Sequence, residues 1–207
     1  MSQQDKANLL YFYDLPETAT SVKIAELLKQ KCDYDLQNPA QFLKDITKPF
    51  ANAMVRINDT SKLDQCAEKL RYFDIDGKPC RALKFDRDLL GANRQKLIEN
   101  SVFIRGLPED LKAEQLHQEF SKFGEIKSLK ISLNPDHTSR RYGFICFTTP
   151  EAAKAALTAK VVLQNQPIEV IRYAPKDKRE FRKAFNNIYV KNFPVTWTEK
   201  ELRDLFS

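Results

Sequence analysis

The residues with the most chemistry to offer lie in one octamer, Arg140-Arg141-Tyr142-Gly143-Phe144-Ile145-Cys146-Phe147. Its aromatic and β-branched types predict a strand, on which residues two apart share a face. One face then carries Arg140, Tyr142, Phe144 and Cys146, and the other carries Gly143, Ile145 and Phe147. Two rings on the solvent side of a strand leave a large apolar area wet, which calls for an occupant. Phe103, in the segment Val102 to Leu107, adds a third ring if that segment is the neighbouring strand. Rings flanked by guanidinium groups suit unpaired nucleobases: the rings stack on bases at about 1 to 3 kcal/mol each while the cations neutralise phosphate. The competing reading is that the three rings pack beneath another helix or domain, and it predicts their burial.

Other reactive residue types offer less. Cys32, Cys66, Cys80 and Cys146 stand singly with no Cys-x-x-Cys pair, and the only histidines are His117 and His137. A structural zinc site takes four ligands in close-set pairs, so no metal is expected, and no cofactor. Reduced, mostly buried thiols are expected, because no base lies beside any of them in the sequence. Hydrolysis of the acylphosphatase kind would need a glycine-rich, phosphate-cradling loop after the first strand. Leu15-Pro16-Glu17-Thr18 and Leu107-Pro108-Glu109-Asp110 instead put acids where an anion would go, and His117 falls on the surface side of its helix. The chain is not expected to be an enzyme.

The charge is uneven. Residues 1–94 hold 15 Lys+Arg against 14 Asp+Glu and residues 95–207 hold 19 against 14, so the second half carries most of the net +6. Such an excess suits a polyanionic partner through counterion release. No apolar run approaches the roughly 20 residues that cross a bilayer, and the opening MSQQDKANLL has no basic segment followed by an apolar one. The expectation is a soluble chain, with no membrane partner, in a reducing intracellular compartment.

The elements that position the rings repeat. Leu10-Tyr11-Phe12-Tyr13-Asp14-Leu15-Pro16, Val102-Phe103-Ile104-Arg105-Gly106-Leu107-Pro108 and Ile188-Tyr189-Val190-Lys191-Asn192-Phe193-Pro194 share one pattern, a strand closed by proline. Tyr11 and Phe103 are 92 residues apart, and Phe103 and Tyr189 are 86 apart, a spacing for tandem small domains. In the middle unit a helix around Leu116 and Phe120 stops at Gly124, then come strands Ile126 to Leu133 and Tyr142 to Phe147, a helix Glu151 to Ala159 and a strand Ile168 to Tyr173. The first unit repeats that β-α-β-β-α-β order: strand Leu9 to Tyr13, a helix ending before Asp33, a strand near Phe42 to Ile46, strand Ala53 to Ile57, helix Leu63 to Leu70 and strand Arg81 to Phe85. Its octamer position reads Phe50-Ala51-Asn52-Ala53-Met54-Val55-Arg56-Ile57, with Asn52 and Met54 in place of aromatics. There Asn offers a hydrogen bond to a base edge and Met a soft packing surface. Lys84 and Arg87, at the end of that unit's last strand, are candidate phosphate contacts. The short segment Asp86 to Asn100 lets the two sheets line up as one trough. The run Arg172 to Ala184, which contains Lys176, is either a solvated linker or a charged clamp over a ligand. The third unit stops at Ser207 after one strand and one helix, as if the chain were cut from a longer protein.

The octamer is close to the pattern Lys/Arg-Gly-Phe/Tyr-Gly/Ala-Phe-Val-x-Phe/Tyr, and with Val102 to Leu107 as its usual partner the chain resembles the RNA recognition motif (RRM) family. Arg141 stands where that family has Gly. The whole arrangement is similar to the cytoplasmic poly(A)-binding protein family across its first two RRMs and the opening of the third. The likeness rests on Leu10 to Leu15, on Asp76-Gly77-Lys78-Pro79-Cys80-Arg81 with Arg87-Asp88, on Ser101 to Leu107, on Arg172-Tyr173 with the basic run, and on Asn187 to Phe193. Lys84, where that family has Trp, and Gly106, where it usually has Asn, depart from it. The resemblance implies stacking by Tyr11, Phe103, Tyr142 and Phe144 and basic contacts from Arg105 and Arg172. It also implies binding of the polyadenylate tail of messenger RNA, and a translation-initiation scaffold protein on the helices of the second unit.

The expectation is thus an α+β chain of tandem RRM (ferredoxin-like βαββαβ) domains, each a four-stranded antiparallel sheet with two helices on one face. The units are a first RRM at 7–90, a second at 99–175, a basic linker at 176–186 and the incomplete start of a third at 187–207. The expected ligand is single-stranded RNA, poly(A) first, held by Phe103, Arg105, Arg140, Tyr142, Phe144, Arg172, Tyr11, Tyr13, Asn52, Met54, Lys84, Arg87 and Lys176. The alternatives are a multi-RRM RNA-processing factor of other base preference and a protein-interaction module on the same domains. The expected location is the cytoplasm, with passage through the nucleus left open.

Overall fold

The computed structural model describes residues 8–43, 50–86, 88–89, 93–175 and 198. The basic linker, the third unit apart from Thr198, Arg87 and Lys176 lie outside them. The chain divides into two compact units, 1–174 and 175–207, and all that follows concerns the first.

That unit holds two sheets built to one plan. In the first, strands β1 (Leu9–Leu15), β2 (Gln41–Leu43), β3 (Ala51–Arg56), β4 (Phe73–Ile75) and β5 (Lys78–Lys84) run in the order β2-β3-β1-β5-β4. Helices α1 (Ser21–Cys32) and α2 (Thr60–Lys69) bury Ile24, Leu28, Cys32, Leu63 and Cys66 against Leu10, Phe12, Ala53, Val55 and Ala82. After the short helix α3 (Arg94–Glu99), the second sheet orders β6 (Ser101–Arg105), β7 (Ile126–Leu133), β8 (Ser139–Phe147), β9 (Val161–Leu163) and β10 (Gln166–Arg172) as β7-β8-β6-β10-β9. Helices α4 (Ala113–Ser121) and α5 (Pro150–Thr158) cover it, burying Leu116, Phe120, Ala152, Ala153 and Ala156 on Val102, Ile104, Ile145 and Phe147. Pairing is antiparallel throughout. Among the described residues no helix is long and apolar enough to cross a membrane.

Local chemistry accounts for the ends of these elements. Thr20 caps α1 by accepting from the Lys23 amide, and Thr149 does the same for α5, where Pro150 opens the first turn. At the end of α1, Asp33 turns left-handed with φ +51. Asp14 and Gly106 occupy the same place in the sequence repeat and both have positive φ, +61 and +79. The Asp or Gly at this position of the repeat is therefore a backbone requirement, met by residue types that tolerate such a turn.

The expected four strands become five in each sheet. The additions are two-residue hairpins, Asp76-Gly77 between β4 and β5 and Gln164-Asn165 between β9 and β10, with all four residues at positive φ. The strand read near Phe42 to Ile46 is shorter, Gln41–Leu43, and residues 44–46 lie outside the described ones. Helix α3, capped by Asn93, occupies what reads in the sequence as a plain linker. Arg141, in the place of a family Gly, indeed carries φ +60, and its Nε donates to the Leu107 carbonyl at 3.1 Å.

Gly143 sits where two strands approach closely, since a Cβ there would lie 2.8 Å from the Lys130 carbonyl oxygen, a backbone atom. Gly143→Ala should therefore push β7 from β8 and destabilise the fold by about 1–3 kcal/mol. Chemical denaturation against the unmodified chain measures it, and an unchanged midpoint contradicts the close approach.

Candidate nucleic-acid interface

Helices α1 and α2 cover one side of the first sheet and α4 and α5 one side of the second, and alternate residues line the other sides. On the second sheet these form two rows. Tyr142, Arg105 and Glu169 are cross-strand neighbours on β8, β6 and β10, and Phe144, Phe103 and Ile171 are neighbours in the next row. Lys130 of β7 lies beside Phe144. The Phe103 ring is 5.5 Å from that of Tyr142 and 5.2 Å from that of Phe144, and Tyr173 meets Phe144 edge-on at 5.8 Å. All three rings are half-buried and none belongs to the core beneath the helices. Arg105 is held in a fork by Glu169, Nε to Oε2 at 2.5 Å and Nη2 to Oε1 at 2.8 Å, so its charge is shared at the surface. Arg140 is tied to the β7–β8 turn through Asn134 at 3.0 Å. Cys146, expected on the wet face, is buried, and burial pushes its thiol up.

The first sheet keeps a smaller platform. Tyr11 and Tyr13 stack with centroids 6.1 Å apart, and Phe85 stands 5.7 Å from Tyr11. Met54 is the direct neighbour of Tyr11, and Asn52 follows it on the same face of β3. Across β5 the open face carries Arg81 opposite Tyr13 and Leu83 opposite Tyr11. Lys84 is not on it. It shares its side of β5 with buried Cys80 and Ala82, and its ammonium pairs with Asp64 of α2 at 2.5 Å. Arg172 likewise shares its side with Ile168 and Val170 and lines a depression with Pro150, Lys154 and Leu157 of α5. Phe85, Tyr173, Arg81 and Lys130 were missed as face residues. The small apolar pair Cys80 and Ala82 was the available signal, since it assigns Arg81, Leu83 and Phe85 to the opposite side.

Residues 102–165 match the RNA recognition motif family model, over the very sheet that carries the three rings. That stretch of the chain is an RNA recognition motif. Over 162 residues, 75% of its length, it is 35% identical to the polyadenylate-binding protein, cytoplasmic and nuclear, of Chaetomium globosum, and it spans 20% of that relative's length. Similar solved structures include a Sex-lethal protein–RNA complex, at 17% identity and a TM-score of 0.43 over 81% of this chain and 99% of that one. The Sex-lethal RNA recognition domains 1 and 2 from Drosophila melanogaster match at 18% identity and a TM-score of 0.36, over 80% of this chain and 99% of that one.

The two RRMs meet along a polar seam. Asp14 of the first takes Lys130 of the second at 2.7 Å, and Lys127 of the second pairs with Asp86 at 2.7 Å and Asp88 at 3.3 Å. Arg81 reaches Ser128 at 3.4 Å, and Lys78 donates to the Asp136 carbonyl at 3.1 Å. Tyr72 buries its ring against the second core, its hydroxyl 2.9 Å from Nδ1 of His117, while Arg71 lies 3.4 Å from Nε2. His117 is therefore a seam residue rather than a solvated one. Arginine only donates, so the neutral ring accepts at Nε2 and carries its proton on Nδ1 toward Tyr72. Burial, then the Arg71 charge, lowers the pKa of His117, and burial with Lys78 lowers that of His137, whose ring lies 4.6 Å from Phe50 across the seam.

Both histidines titrate below the ordinary imidazole value of about 6.5, so the unfolded chain takes up the proton first. Their contribution to stability is complete above about pH 6.5 and is lost as pH falls through the lowered values. Denaturant midpoints should drop between pH 7 and pH 5. The double variant His117→Gln/His137→Gln should show a flatter profile, and an identical profile contradicts the assignment.

Proposed function

We propose that this chain binds single-stranded RNA, poly(A) foremost, across the open faces of its two RRMs. The observation that carries this reading is the group Phe103, Tyr142 and Phe144, three contiguous half-buried rings that stand outside the core beneath the helices. In it, Phe103, Tyr142, Phe144, Tyr11 and Tyr13 stack on bases, Asn52 and Met54 meet base edges, and Arg105 and Arg140 neutralise phosphate. Arg87 and Lys176 remain proposed phosphate contacts on the strength of the sequence. Lys84 and Arg172 face the helices, so their part is confined to the rim. The proposed RRMs are 7–90 and 99–175, with 176–186 a basic linker and 187–207 the start of a third. The similarity to a polyadenylate-binding protein supports poly(A), a binding rather than a catalytic role, and the cytoplasm and nucleus as its compartments. Helices α4 and α5 are proposed to meet a translation-initiation scaffold protein.

Changing Tyr142 and Phe144 together to Ala should lower affinity by roughly 2 to 6 kcal/mol, from about 1 to 3 per base, while the fold persists because neither ring is in the core. Fluorescence anisotropy with labelled oligoadenylate measures it, with oligouridylate and oligocytidylate in competition, and unchanged affinity overturns the reading. Glu169→Ala should act the other way. With the carboxylate gone from beside Arg105, RNA should bind more tightly and the slope of log affinity against log salt should steepen by up to about 0.7, the share of one phosphate contact on a single strand.

A further inference from the structure

Asp14 stands at the end of β1 with its side chain only 10% exposed, and two cations from different domains converge on it. Arg81, from the same RRM, donates Nε to Oδ2 at 2.9 Å, and Lys130, from the other, donates Nζ to Oδ1 at 2.7 Å. Burial alone would raise the Asp14 pKa, but the two cations outweigh it and hold the carboxyl below the usual range. Each cation is also part of a ring platform. The Arg81 guanidinium lies 4.6 Å above the Tyr13 ring, and Lys130 is the cross-strand neighbour of Phe144. Between them Tyr13, Arg81, Leu83, Ser128, Lys130, Phe144 and Tyr173 line one open depression of about 300 Å³.

We propose that Asp14 is a positioning residue that locks the two RRMs into one continuous surface before any RNA arrives, so that a strand crossing the seam meets both platforms already in register. This rests on the RNA-binding reading above. Two sites held rigidly in register make the second contact intramolecular at high effective concentration, and the ordering cost is met in folding rather than in binding. Without Asp14 the seam keeps Tyr72 and the Lys127 pairs but loses the charge pairs that fix its alignment, so the two platforms lose register. A strand too short to cross the seam is indifferent to the lock, and a strand that crosses it is not.

Asp14→Asn keeps the size of the side chain and its tolerance of φ +61 while removing the charge. The full chain and this variant are titrated with oligoadenylates of about four and about twelve nucleotides, bracketing one platform and both. The longer strand should bind the variant roughly tenfold or more weakly, and the shorter within about twofold, since only avidity is lost. Equal losses at both lengths overturn the proposal, because damage to the fold or to one platform would be felt by either strand. A second measurement needs no variant: in the RNA-free unmodified chain, NMR relaxation should give the two RRMs one common tumbling time, and independent tumbling overturns the lock. Should the unmodified chain bind neither strand, the RNA reading fails, while the tumbling result still judges the role of Asp14.

Discussion

Two helices can cover only one face of a sheet, and most of what is distinctive in this molecule follows from that. Along β1, Leu10, Phe12 and Leu15 are sealed beneath α1 and α2, so Tyr11 and Tyr13 must stand on the other side. Along β8, Ile145 and Phe147 join the core, so Tyr142 and Phe144 are turned outward. A one-residue slip in either strand would exchange the two sets and put phenol and guanidinium groups in the core, which is why the register is so firmly specified. The ring platforms are thus a by-product of burial on the far side. Such a surface comes at the cost of wet apolar area, and contact between neighbouring rings reduces that cost without removing it.

The second RRM also uses its open face to meet the first. Its outermost strand, β7, carries Ser128, Lys127 and Lys130 toward the neighbouring sheet, where Arg81, Asp86 and Asp14 receive them. At the same junction Tyr72, in the bend before β4, packs against the second core. The seam therefore combines an apolar anchor with charge pairs, and the pairs supply direction. A purely apolar contact would tolerate sliding, whereas carboxylate–ammonium partners at fixed heights on two strands admit one alignment.

Much of this was legible in the sequence, for a physical reason. Alternation and helical spacing depend on burial, and burial repeats, so the strand–helix order and the outward rings of the second RRM could be read directly. The β4–β5 hairpin was legible too, since Asp76-Gly77 is a strong two-residue turn signal, but its three-residue strand was too short to register as an element. Gln164-Asn165 has no such signature. The charge of Lys84 at a strand end does not tell which side it faces, whereas the small residues Ala82 and Cys80, two and four positions earlier, do. The short Asp86 to Asn100 segment allows the sheets to line up, but the contacts of the seam are not legible. Asp14 reads as a turn residue and Lys130 as a solvated lysine, and only a contact between residues 116 apart in the chain makes them partners.

Burial also sorts the cations by what they can do. Arg81 is 13% exposed and Asp14 10%, so breaking that pair would strand a charge in a poorly solvated place, at a cost of about 3 kcal/mol or more. Arg105 and Glu169 are both about half exposed, and a pair of that kind contributes about 1 kcal/mol or less. A phosphate can therefore replace the Glu169 carboxylate beside Arg105 at little expense, because the guanidinium exchanges one forked anion for another. It cannot replace Asp14 beside Arg81 without loosening the seam. Lys130, whose partner is buried, ties the two sheets together, while Arg105, whose partner is exposed, is open to a polyanion.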